Sequence, residues 1–227
     1  MAEAARQARQ PRSRARAGGW QWSRTAETQR ALLDAAREVF AEQGFASASI
    51  TDIVERAGSS AGSLYHHFGG KSEVFLALWE EYSGAQEEAA GTAIAQAQRA
   101  GVTDPHALFS AGAKAYLESC WQRRDLAVLF YTGDTPPGFG TLMRADGCQW
   151  IGHLDSLGGL PGKSSDRLYV TILTSLVREG AREVAAAGNR RRATRTINAV
   201  LEYVRRLMAD GPWRPPVKTA AAVEPVG

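Results

Sequence analysis

Along most of this chain apolar residues recur at the three-and-four spacing of a helix, and no persuasive apolar–polar alternation marks a strand. The first stripe, Leu32, Ala36, Val39 and Phe40, predicts a helix from Ala26 to Gln43 closed by Gly44. The second is short. Ile50, Ile53, Val54 and Ala57 share one face, Ser49 and Asp52 are spaced as a capping box, and Gly58 supplies the left-handed residue that stops the helix. Ser60 caps a third helix in which Leu64 and Phe68 point inward one turn apart. A fourth starts near Lys71, after Gly69-Gly70, and runs into the Glu80–Glu88 region with Val74, Phe75, Leu78, Trp79 and Tyr82 facing inward.

The second half continues in the same period. Asp104-Pro105 opens a helix, with aspartate as cap and proline at the first helical position, and Phe109, Tyr116 and Cys120 line it. A short helix over Asp125–Tyr131 is broken by Gly-Asp-Thr-Pro-Pro-Gly, and another follows over Leu142–Leu157. Two long helices close the pattern. One spans Ser165–Ala187 with Leu168, Ile172, Leu176 and Val184 in register, the other Arg190–Met208 with Ile197, Val200, Leu201, Val204 and Leu207. The expectation is all-α: residues 1–24 a basic, largely disordered arm, 25–70 a three-helix helix-turn-helix domain, 71–210 a larger helical domain whose 71–88 segment is a linking helix, and 211–227 a disordered tail.

The second and third helices carry the chemistry. With Leu64 and Phe68 inward, Ser60, Ala61, Gly62, Ser63, Tyr65, His66 and His67 are left outward or on the flank. A helix whose N-terminus is this small approaches DNA closely, as a recognition helix in the major groove must. Net charge is only +3, yet the first 30 residues hold seven arginines, Arg6 to Arg30, against Glu3 and Glu27. That arm is either a phosphate or minor-groove contact or a solvated tail.

Other classes are disfavoured. No apolar run approaches the ~20 residues of a membrane span, and the arginine-rich start is unlike a secretory signal. Cys120 and Cys148 lie far apart with no CxxC partner, which reads as a cytoplasmic chain without a disulfide framework or zinc site. His66 and His67 are adjacent and so point about a quarter-turn apart, and no Glu-x-x-His pair surrounds any histidine, so neither a metal nor another cofactor is expected. A nucleophile elbow and a phosphate-cradling glycine loop are missing, which leaves an enzyme on a helical bundle as the weaker alternative beside a sequence-nonspecific DNA-binding protein.

The string Ala-Gly-Ser-Ser-Ala-Gly-Ser-Leu-Tyr-His-His-Phe, then Gly-Gly-Lys, resembles the signature of the TetR family of bacterial transcriptional regulators, and the preceding segment from Ala31 to Phe45 matches as well. The resemblance spans roughly Thr25 to Tyr82. It implies a homodimeric regulator, most simply a repressor of a near-palindromic double-stranded DNA operator, released by a small, moderately hydrophobic effector. By the same resemblance Ser60, Ala61, Gly62 and Ser63 stand at the entrance of the recognition helix. Tyr65, His67 and Lys71 approach phosphates with Ser49 and Thr51, and Tyr65 and His66 are left to read bases. It also implies an effector cavity among Trp79, Tyr82, Phe109, Tyr116, Trp121, Phe130, Tyr131, Trp150 and His153, residues whose helical spacing equally suits a plain core. The apolar stripes of the last two helices, Leu168, Ile172, Leu176, Ile197, Val200, Leu201 and Val204, serve either as a dimer surface or as burial within one subunit, and the resemblance favours the dimer.

Overall fold

A computed structural model describes residues 14–143 and 164–209, with side chains described from residue 25 onward and again from 168. Among the described residues every regular element is a helix: α1 Arg14–Ser47, α2 Ile50–Arg56, α3 Ala61–His67, α4 Lys71–Arg99, α5 Pro105–Gln122, α6 Arg124–Thr132, α7 Ser164–Ala185 and α8 Arg190–Ala209. They form two compact units. The first holds the chain up to Gln43 together with Ser47–Ala77; the second holds Gly44–Ala46 and the chain from Leu78.

Helix α1 begins at Arg14, where composition predicted an unfolded arm to residue 24. Arg, Ala and Gln are good helix formers, and lengthening an existing helix requires no new nucleus. Its regular course breaks at Gly44, with φ 76° and ψ 168°, as the stripe ending at Phe40 implies. The core of the first unit is Leu32, Ala36, Val39 and Phe40 from α1, Ile53 and Val54 from α2, Leu64 from α3, and Val74 and Phe75 from α4. Phe40 and Phe75 meet edge to face with centroids 5.7 Å apart.

Helix α4 runs past Glu88 to Arg99, longer than the apolar pattern suggested. Its second half is rich in Ala, Gln and Glu, whose helix propensity outweighs Gly84 and Gly91, and it stops at Gly101, which sits at φ 86°. In the second unit α7 and α8 pack against each other, α5 packs on both, and α6 packs on α7. Phe109, Leu117 and Cys120 of α5 are buried among Val170, Leu173, Val177 and Val184 of α7 and Ile197, Val200, Val204 and Met208 of α8. The expected helix over 142–157 and the tail from 211 lie outside the described residues, apart from a helical stretch at 139–143. No described helix is long and apolar enough to cross a membrane.

Candidate nucleic-acid interface and ligand cleft

The turn-and-helix chemistry of the first unit is built as the residues dictate. The Ser49 hydroxyl accepts from the Asp52 backbone N–H at 3.1 Å, and the Asp52 carboxylate accepts from the Ser49 N–H at 3.0 Å and from its hydroxyl at 2.6 Å. Those bonds, the Ser49 hydroxyl foremost, hold the Asp52 carboxyl below its ordinary range. The Ser60 hydroxyl accepts from the Ser63 N–H at 3.1 Å and opens α3. Arg56 ties α2 to α1 through Glu42 at 2.8 Å.

With Leu64 fully buried, α3 turns its small N-terminus and its aromatic flank to solvent. Thr51, Ser60, Ala61, Gly62 and His66 are exposed, and Tyr65 is 55% exposed. Ser49, Ser63, His67 and Lys71 are half-buried. Lys71 has a second task that its position in the chain did not reveal: its ammonium donates to the Ala48 carbonyl at 2.8 Å, fastening the start of α4 to the turn before α2. The imidazoles of His66 and His67 meet edge to face with centroids 5.3 Å apart. Among the described residues no group of His, Cys, Asp or Glu is placed to hold a metal ion.

The second unit contains an aromatic cluster and a cleft. The Trp79 ring meets Phe130 and Phe139 edge to face, each with centroids 5.2 Å apart, and Tyr82 packs on Phe130 at 5.2 Å. Beside this wall a cleft of about 490 Å³ is lined by Phe130 and Tyr131 of α6, Thr135, Phe139 and Met143 of the segment that follows, and Arg178, Glu179 and Arg182 of α7. Its size and mixed lining suit a small molecule with an apolar body and a polar end.

Behind Tyr131 lies a group of buried polar side chains. The Tyr116 and Tyr131 hydroxyls are 3.3 Å apart, and the Gln86 amide donates to the Cys120 sulfur at 2.8 Å. The Tyr82 hydroxyl is buried near that sulfur and completes no hydrogen bond of ordinary geometry. Burial pushes the Tyr131 hydroxyl and the Cys120 thiol each up to about 12, so both stay neutral and the thiol is no nucleophile. Burial likewise raises Tyr82 and Tyr116, while the positive charge of Arg178 acts in the opposite sense on Tyr116 and Tyr131.

The structure divides the aromatic residues proposed for a cavity. Phe130 and Tyr131 line the cleft, Trp79 and Tyr82 back its wall, and Tyr116 reaches Tyr131. Phe109 instead belongs to the core against α7 and α8, and Trp121 stacks under the Arg124 guanidinium at 4.8 Å. Trp150 and His153 lie outside the described residues. Arg178, Glu179 and Arg182 had no sequence signal, because nothing in a helical stripe says which polar residues border a cleft.

The proposed dimer residues divide too. Ile197, Val200 and Val204 are buried in their own subunit against α5 and α7 and have no surface to offer a partner. Leu176 and Leu201 are half-buried against that core. Leu168 and Ile172, 64% and 47% exposed, do face outward, and Tyr203 and Leu207, one turn apart on α8, join them as exposed apolar residues. The Tyr169 hydroxyl donates to the Leu207 carbonyl at 3.0 Å, which sets the start of α7 beside the end of α8.

Residues 32–78 match the family model of bacterial regulatory proteins of the tetR family. The HTH-type transcriptional repressor AcnR of Corynebacterium efficiens is 35% identical over 75 residues, 33% of this chain and 40% of AcnR. The HTH-type transcriptional regulator AcrR of Shigella flexneri is 41% identical over 54 residues, 24% of this chain and 25% of AcrR. The chain thus spans well under half the length of these curated relatives. At the level of fold it resembles the fatty acid degradation regulator FadR from Bacillus halodurans, with a TM-score of 0.64 at 17% identity, covering 82% of this chain and 97% of that one. A FadR structure from Bacillus subtilis, in complex with stearoyl-CoA, gives a TM-score of 0.62 at 18% identity, covering 77% and 96%.

Proposed function

We propose that the chain, whose residues 32–78 match the family model of bacterial regulatory proteins of the tetR family, is a cytoplasmic, ligand-responsive transcriptional repressor. The single observation that supports this best is α3. Its buried Leu64 fixes the helix, while a side-chain-poor N-terminus and the exposed Tyr65 and His66 face solvent. Two such helices in a homodimer enter successive major grooves about 34–36 Å apart, so the operator is a near-palindrome. None of Ser60, Ala61, Gly62 and Ser63 is able to make the bidentate arginine–guanine contact, so readout falls to Tyr65, His66, backbone groups and DNA shape. The dimer forms through the exposed apolar face of Leu168, Ile172, Tyr203 and Leu207.

The effector, a small and moderately hydrophobic molecule, occupies the cleft beside Phe130 and Phe139. Helix α4 supplies Phe75 to the first unit's core and Trp79 to the second unit's aromatic wall, so a shift of this helix is the means by which a ligand reaches the DNA-binding residues. Turning 99% DNA-competent protein into 1% requires a differential effector affinity of ~5.5 kcal/mol, and ~1.4 kcal/mol is a tenfold change.

Fluorescence anisotropy on duplexes tiled across the DNA flanking the protein's own gene, beside a scrambled duplex, tests the reading. Tight binding to one near-palindromic tile is expected, weakening as salt rises. Tyr65→Ala should weaken it without dissociating the dimer, and so should Lys71→Ala, which also removes the bond to Ala48. Equal affinity for every tile would make the chain a nonspecific DNA binder instead. Unchanged operator affinity in both variants would sink the phosphate contacts assigned to Tyr65 and Lys71.

A further inference from the structure

The cleft of the second unit has a mixed lining. Phe130, Phe139 and Met143 supply its apolar surface, and Arg178, Glu179 and Arg182 of α7 supply its charged groups. The charges on α7 are unequally matched. Arg182 is held by Glu179 at 2.6 Å and by Glu183 at 2.9 Å, so its charge is balanced within the helix. Glu179 is committed to Arg182 through two hydrogen bonds, at 2.6 and 3.0 Å. Among the described residues Arg178 donates no hydrogen bond to a carboxylate: its contact is the Ser175 hydroxyl at 3.4 Å, and its charge is felt at Glu179 and at the Tyr116 and Tyr131 hydroxyls. It is half-buried, so it is partly removed from the water that would otherwise solvate it. A half-buried guanidinium with spare donors on a cleft that also presents Phe130, Phe139 and Met143 is a receptor for a planar anion with an apolar body, because its paired N–H groups match the two oxygens of a carboxylate.

We propose that the cleft binds a small hydrophobic carboxylic acid as its anion, with the carboxylate on the Arg178 guanidinium and the hydrocarbon or aryl body against Phe130, Phe139 and Met143. This rests on the reading of the second unit as the effector-binding unit and names the chemistry of that effector. The cleft volume of 490 Å³ lies inside the ~300–1,000 Å³ range of small-molecule sites.

Matched pairs that differ only in the head group test it: decanoate against decan-1-ol, and 4-phenylbutyrate against 4-phenylbutan-1-ol. Each is titrated calorimetrically into the full-length protein at pH 7.5, below any micelle concentration. Each acid should bind roughly tenfold or more tightly than its alcohol, the effect of one charge-assisted hydrogen-bonded pair. Arg178→Met should abolish the preference, and Arg178→Lys should keep part of it. Arg205→Gln, on α8 and outside the cleft lining, should leave it in place. Equal affinity of acid and alcohol in the wild-type protein overturns the inference whatever the variants do, and so does binding of neither acid. A protein that binds its operator but shows no preference for the acids refutes the head group and leaves the regulator standing. One that prefers the acids but binds no DNA tile upholds the head group and refutes the regulator.

Discussion

Gly180→Ala tests the packing that holds the arginine-bearing wall of the cleft. A β-carbon at position 180 would lie 2.5 Å from Val200 Cγ2 and 3.2 Å from its Cγ1, where carbon atoms rest at about 3.5–4.0 Å. Val200 has little freedom to retreat: it is buried in the α5–α7–α8 core, and a valine in a helix has one strongly preferred rotamer. Relief therefore comes from moving α7 off α8 by about 1 Å, an overpacking cost of about 1–3 kcal/mol. Against it stands the helix propensity gained when alanine replaces glycine, about 1 kcal/mol. So large an overlap belongs at the upper end of the cost, which gives a net loss of about 1–2 kcal/mol. Urea unfolding at fixed protomer concentration measures it. The decisive comparison is with Val200→Ala, which by itself loses about 2 kcal/mol of burial. On that background the overlap is gone, and Gly180→Ala should change sign and stabilise by the propensity gain. Stabilisation by Gly180→Ala in the wild-type background, or the same effect in both backgrounds, would refute the close approach as the reason for glycine.

Three further outcomes follow from particular contacts. Tyr82→Phe removes a buried hydroxyl that completes no ordinary hydrogen bond, so the unfolding midpoint should rise by the equivalent of about 1 kcal/mol; a fall would mean that the hydroxyl is paired. Ser49→Ala removes the α2 cap and should cost about 1 kcal/mol near neutral pH by thermal melting. The pH sign is set by Asp52, whose folded-state pKa is depressed chiefly by Ser49: the stabilisation is present above the unfolded carboxylate pKa and lost as pH falls through the folded one, so the gap between wild type and variant should close in acid, and a gap that widens there contradicts the assignment. Ile172→Glu should convert a dimer to a folded monomer in light scattering, whereas Val204→Glu, placed in the subunit's own core, should unfold the chain; a dimer that survives Ile172→Glu would move the interface elsewhere.

How much was legible in the sequence depended on the range of the interaction involved. Ser49 and Asp52, Ser60 and Ser63, and Asp104 before Pro105 act within one turn of chain, so their caps were readable from spacing and all are formed. The all-α class and the boundaries of α2, α3, α7 and α8 followed from the 3.6-residue period for the same reason. The outward residues of α3 were likewise fixed once Leu64 and Phe68 were assigned inward, because one buried position sets the phase of a helix.

Packing between distant segments decided the rest. A stripe such as Ile197, Val200 and Val204 shows that a helix face is buried but carries no label for what buries it, and only the tertiary arrangement assigned these residues to their own subunit's core and left Leu168, Ile172, Tyr203 and Leu207 outside. The same holds for Arg178. Its sequence neighbourhood is an ordinary charged helix, and it becomes a cleft residue because α6 and the segment after it, some 40 residues away in sequence, fold against that part of α7. Sequence periodicity records which residues avoid water; partners, cavities and close approaches such as that of Gly180 to Val200 are properties of two surfaces at once, and local patterning specifies only one of them.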